Sequence, residues 1–152
     1  TGVTGKYANG FVTVQPLNTL IGSYAWVGAN HPDAVVGQVL LDRGYYNVTG
    51  LAWSGRGKVK RVDVSFDGGR NWKTARLETP VLSKCLTRFS LDWVWDGKPA
   101  IIQSRATDET GYVQPSYRQL RAVRGTRSIY HNNSIQTWQV KPDGSVFDVQ
   151  LA

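Results

Sequence analysis

Ser54-Gly55-Arg56-Gly57-Lys58 is the stretch of this 152-residue chain with the sharpest chemical content. Glycine on both sides of Arg56 gives a turn with exposed backbone N–H groups. Such a turn can form an anion-binding concavity, and the guanidinium adds two parallel donors. A sulfate- or phosphate-sized oxyanion suits it. The same five residues also read as an ordinary glycine turn carrying solvated basic side chains. Arg56, Lys58, Lys60 and Arg61 fall close together, and Arg118, Arg121, Arg124 and Arg127 recur every third residue with no acid between Glu109 and Asp143. Eighteen Lys and Arg against eleven Asp and Glu give a net charge of +7. An excess of this sign suggests an anionic ligand or partner but does not bear on fold. A solvated basic face and a nucleic-acid surface are the competing readings. No zinc-finger, helix-turn-helix or RNP-like pattern is present, so nucleic acid is not expected as a partner.

The remaining catalytic equipment is thin. His31 and His131 lie in loops flanked by Asn and Pro, where a lone histidine is more often a surface residue than a base. Metal sites need three or four converging ligands, and no His, Cys or Asp cluster has suitable spacing. Cys85 is the one cysteine, which excludes an internal disulfide and a cysteine-based metal cluster. It has no sequence-local base and reads as a small buried apolar side chain. Asp108-Glu109 resembles a carboxylate pair, but neighbours on a strand point to opposite faces, and a turn is the simpler reading. Asn47-Val48-Thr49 and Asn132-Asn133-Ser134 match the glycosylation sequon, which matters only in a eukaryotic secreted chain.

These residues must be held by strands. No window sustains the apolar spacing of a long helix. Val62, Val64 and Phe66 share one face of a period-two pattern and Arg61, Asp63 and Ser65 the other. Asp67-Gly68-Gly69 then supplies turn chemistry, because glycine accepts positive φ without steric cost. Asn71 to Leu77 reads as the returning strand. Phe89, Leu91, Trp93 and Trp95 alternate in the next, Asp96-Gly97 closes it, and Pro99 to Ala106 makes another. Ile135 to Val140 and Ser145 to Leu151 flank Lys141-Pro142-Asp143-Gly144 as a second hairpin. The stretch from Thr107 to Asn133 reads as a long connection holding one strand around Tyr117 to Val123. Residues 1–40 allow three short strands and carry no motif. The pattern predicts an all-β chain, an immunoglobulin-like antiparallel β-sandwich, with residues 41–152 as that domain and 1–40 as a separate N-terminal segment. No apolar run approaches the ~20 residues of a membrane span, and no signal-peptide pattern opens the chain. With no Met anywhere, a chain beginning at Thr1 is expected to be a processed product or a fragment.

Two segments resemble a known family. Gly50-Leu51-Ala52-Trp53-Ser54-Gly55-Arg56-Gly57-Lys58, followed by Arg61-Val62-Asp63-Val64-Ser65-Phe66-Asp67-Gly68-Gly69-Arg70-Asn71-Trp72, is similar to the C-terminal dimerisation domain of the molybdenum-dependent sulfite oxidases. The segments Ser83 to Phe89, Asp108 to Pro115 and Arg127 to Trp138 resemble the large subunit of bacterial sulfane dehydrogenases. The likeness runs from about Tyr45 to Leu151. It implies a homodimer-forming sandwich, a periplasmic setting, and a catalytic half elsewhere that binds molybdopterin-molybdenum. A c-type cytochrome subunit is a further partner it implies. Nothing in this chain resembles the cofactor-binding domain, so no cofactor is expected on these residues alone, and Cys85 lacks the context of a molybdenum ligand. The family's sandwich lends an arginine from this glycine-rich turn to the oxyanion pocket. By position that is Arg56. The turn is one residue shorter than in animal and plant sulfite oxidases, which makes Lys58 the other candidate. The contrasting functional class is a free-standing binding module for an acidic partner, driven by the basic loop from Arg118 to Arg127.

Overall fold

The computed structural model describes residues 15–16, 42–126 and 133–149. Nine strands and one helix follow in the order β1 (Gln15–Pro16), β2 (Gly44–Ala52), β3 (Val59–Ser65), β4 (Lys73–Thr74), β5 (Arg76–Leu77), β6 (Thr87–Trp95), β7 (Ala100–Asp108), α1 (Tyr117–Arg124), β8 (Thr137–Val140) and β9 (Val146–Val149) among the described residues. They form a four-stranded sheet, β1-β2-β6-β5, and a five-stranded sheet, β4-β3-β7-β8-β9. Every paired strand is antiparallel. The architecture is an all-β sandwich, as the alternation predicts.

The two sheets meet through the apolar side of each strand. In β6, Phe89 and Trp95 are buried, while Leu91 and Trp93 pack against the core from half-buried positions. Val48, Tyr46 and Ala52 of β2 join them, and Val62, Val64, Ile102, Trp138 and Val140 face them from the other sheet. Phe66, just beyond β3, stacks flat on Trp93 at 4.7 Å between ring centroids. Fully burying side chains of this size contributes roughly 1.5–3 kcal/mol each, so this layer holds the sheets together.

The structure departs from a simple run of alternating strands in three places. Residues Asn71 to Leu77 do not form one returning strand. β4 pairs with β3, β5 pairs with β6, and buried Ala75 lies where the chain passes from one sheet to the other. Second, the polar side of β3 is buried beyond the exposed Arg61. Asp63 and Ser65 are 4% and 1% exposed, because Arg61, Arg105, Thr74 and the loop after β3 cover them. In that loop the Asp67 carboxylate accepts from the Asn71 backbone and side chain, from Ser65 and from the Arg70 amide, which lowers its pKa to about 2.

Third, Tyr117 to Val123 lies in a helix, not a strand. Ser116 Oγ accepts from the Gln119 amide, and the Gln119 side chain accepts from the Ser116 amide, a reciprocal cap. Gly125 ends the helix at φ 72°, its N–H donating to the Arg121 carbonyl at 2.8 Å. The threefold spacing of Arg118, Arg121 and Arg124 is therefore a helical period. Arg121 lies over the Tyr117 ring one turn back at 5.3 Å. No residue of α1 is buried.

Within residues 1–40 only Gln15–Pro16 is described, paired with Thr49 and Val48, and the three short strands expected there lie outside the described residues. The rest of that segment, with His31, and also Arg127, His131 and Asn132, lie outside the described residues. Among the described residues no helix is long and apolar enough to cross a membrane.

Candidate functional site

The Ser54–Lys58 turn connects the two sheets. β2 ends at Ala52 in one and β3 begins at Val59 in the other. Ser54 and Gly57 bridge antiparallel across the tip, leaving Gly55 and Arg56 at its apex. The turn is pinned by residues more than fifty positions further along the chain. Ser54 Oγ, on a residue 2% exposed, donates to Asp108 Oδ2 at 2.7 Å and accepts from the Arg56 N–H at 3.1 Å. Glu109 Oε1 accepts from the Lys58 N–H at 2.8 Å, and the Glu109 N–H donates to the Lys58 carbonyl at 2.9 Å. On its outer side the Gly57 carbonyl accepts from the Lys84 N–H at 3.0 Å.

Asp108 ends β7 and is 2% exposed. Its Oδ1 accepts from the Thr110 hydroxyl at 2.6 Å, the Thr110 N–H at 2.9 Å and the Tyr112 N–H at 3.1 Å. Burial pushes its pKa up, but the bonds from Thr110, Ser54 and Tyr112 outweigh burial and hold it below the ordinary carboxylate value. Asp108 and Glu109 are thus not an acid–base pair. They point apart, as adjacent residues at a strand end should, and each fastens a different side of the turn.

This fastening alters the expected anion cradle. The amides of Arg56 and Lys58 already donate to Ser54 and Glu109, so they do not stand open to an external anion. The fit is close: a Cβ placed on Gly57 would come within 2.0 Å of Glu109 Oε1. What remains for a ligand is the pair of side chains. Arg56 and Lys58 are both exposed, and among the described residues neither forms an ion pair. The Arg56 guanidinium carbon lies 5.4 Å from the centroid of the Tyr112 ring, within cation–π range. Tyr112 has no counterpart in the chemistry read from sequence. The signal for it is its place directly after the turn at Asp108 to Gly111.

Tyr112 also borders a groove of about 1010 Å³ on the outer side of the five-stranded sheet. Gly69, Trp72, Gln103, Arg105 and Gln119 line it with Tyr112. Arg105 lies on the Trp72 ring at 4.3 Å and reaches Asp63 at 3.5 Å, so its charge is committed to the domain's own core.

Cys85 departs from its expected burial. It is free and exposed, in the loop where Lys84 takes a left-handed φ of 58°. Among the described residues no three His, Cys, Asp or Glu side chains converge on a point where they could hold a metal ion.

Comparison with known proteins bears on the same turn. A crystal structure of the sulfane dehydrogenase SoxCD from Paracoccus pantotrophus is similar at 56% identity with a TM-score of 0.74, covering 76% of this chain and 30% of that one. Sulfite oxidase of Gallus gallus is 66% identical over 35 residues, covering 22% of this chain and 8% of its own length. Mitochondrial sulfite oxidase of Mus musculus is 36% identical over 86 residues, covering 50% of this chain and 15% of its own length. This chain therefore spans less than a third of each relative. The Mo-co oxidoreductase dimerisation domain matches residues 27–138, which is most of the sequence and includes the whole turn. On that match, this chain belongs to the Mo-co oxidoreductase dimerisation domain family.

Proposed function

We propose that this chain is the homodimer-forming sandwich, of immunoglobulin-like type, of a periplasmic sulfur-compound oxidoreductase, and that it completes the substrate pocket of a separate catalytic half. The redox chemistry belongs to molybdopterin-molybdenum held by that half. A c-type cytochrome subunit is the proposed redox partner. The sandwich contributes a fixed positive charge. Arg56 binds the sulfur oxyanion through paired N–H donors, and Lys58 raises the local potential beside it. The similarity to two sulfite oxidases and a sulfane dehydrogenase supports the substrate class.

The observation that carries this reading is an exposed guanidinium without an ion-pair partner among the described residues, on a turn fastened by two carboxylates, Asp108 through the Ser54 hydroxyl and Glu109 through the Lys58 amide. A rigid turn carrying an uncommitted cation is suited to present charge to another surface. In the full-length enzyme, Arg56→Ala is expected to raise KM for sulfite roughly ten- to a hundredfold, the range of a hydrogen bond to a charged group. Steady-state kinetics check this, and an unchanged KM removes Arg56 from the pocket. The same enzyme is expected to sediment as a two-fold dimer at micromolar concentration. A monomer at tens of micromolar overturns the assembly half of the reading.

A further inference from the structure

We infer that Tyr112 is a positioning residue for Arg56, its ring acting as the platform that holds the guanidinium in its ligand-binding direction. The inference rests on the reading of Arg56 as the oxyanion donor.

An exposed arginine at the tip of a turn has many rotamers, and fixing them when an anion binds opposes affinity. A ring beneath the guanidinium removes part of that opposition beforehand. Cation–π contact does this without neutralising the charge, as a carboxylate partner would. Tyr112 can serve because it is itself fixed. Its N–H donates to Asp108 Oδ1 at 3.1 Å, its carbonyl accepts from the Asp108 N–H at 3.1 Å, and its hydroxyl accepts from Asn133 Nδ2 at 3.4 Å. Both members of the stack hang from one carboxylate. Asp108 Oδ1 holds Tyr112, and Asp108 Oδ2 holds Ser54, whose hydroxyl accepts from the Arg56 amide. The ring and the cation are thus set relative to each other by a short chain of bonds rather than by chance approach on a surface.

The test is steady-state kinetics on the full-length enzyme with sulfite, using Tyr112→Leu, Tyr112→Phe, Arg56→Ala and the Arg56→Ala/Tyr112→Leu double variant. Tyr112→Leu is expected to raise KM about two- to fivefold, the range of an exposed cation–π contact, and to leave kcat unchanged. Tyr112→Phe keeps the ring and should keep the wild-type KM. The double variant should match Arg56→Ala alone, since the ring acts only through that side chain. Additive effects overturn the proposal, as does a Tyr112→Phe variant as impaired as Tyr112→Leu. If Arg56→Ala raises KM and Tyr112→Leu does not, the platform falls and the role of Arg56 stands. If Arg56→Ala itself leaves KM unchanged, both fall together.

Discussion

Asp108→Ala is expected to destabilise the purified chain by about 3 kcal/mol, read as a lowered urea midpoint with an unchanged slope. The side chain removed accepts bonds from Ser54, Thr110 and Tyr112, and the residue is 2% exposed. Alanine leaves the buried Ser54 hydroxyl and the half-buried Tyr112 amide facing no acceptor, and an orphaned buried donor costs more than a typical hydrogen bond contributes. The turn bearing Arg56 and the segment bearing Tyr112 would loosen together. The same carboxylate gives the chain a pH signature. Its pKa is lower folded than unfolded, so its stabilisation is complete above the ordinary carboxylate value and is lost as pH falls through the lowered one. Asp108→Asn cannot titrate. The variant's stability should therefore fall less steeply below the ordinary carboxylate value than that of the wild type. Identical acid limbs would show that Asp108 is not held ionised by the turn.

Phe89→Ala should have an effect at least as large, about 4 kcal/mol, or a drop in Tm of more than ~10 °C by calorimetry. Phe89 is fully buried in the first half of β6. Its partner across the ladder in β2 is Gly50. Glycine has no side chain to move into the space, so the site collapses poorly, and poor collapse sets the upper end of the large-to-small range. A loss below ~1 kcal/mol would mean that the sheets close over the cavity, contrary to the packing of Val48, Val62 and Val64 around it.

What the sequence disclosed follows from which interactions are local. Period-two alternation in Val59 to Phe66 and Phe89 to Trp95 is legible because each strand has one apolar side, and the two sheets follow. The burial of Asp63 is not legible there, since Arg61 is near in sequence but Arg105 and Thr74 reach it from other strands. Ala75 gives no sign that the chain changes sheets beside it. The arginines after Pro115 stand out as charge, but their spacing is a helical period. Ser116 with Gln119 three residues on is a helix-start signature that decides the point. Cys85 follows the general tendency of cysteine to be buried only as a prior, and the left-handed Lys84 beside it keeps the loop outside. The glycines of the Ser54–Lys58 turn located the tip correctly. That the Lys58 amide is already engaged depends on Glu109 reaching it across 51 residues of chain, and the Ser54 hydroxyl that takes the Arg56 amide is held by Asp108 across 54, which no local pattern reveals.

Among the described strands, β1 and β5 bound one sheet and β4 and β9 the other. Three of these four boundaries are only two residues long. Main-chain groups along such short borders can offer an incoming strand no more than a few bonds, too few to template cross-β stacking. A domain whose family is built to meet its own copies is exposed to runaway polymerisation. Blunted on those three described sides, the sandwich offers little main-chain template for a fibril.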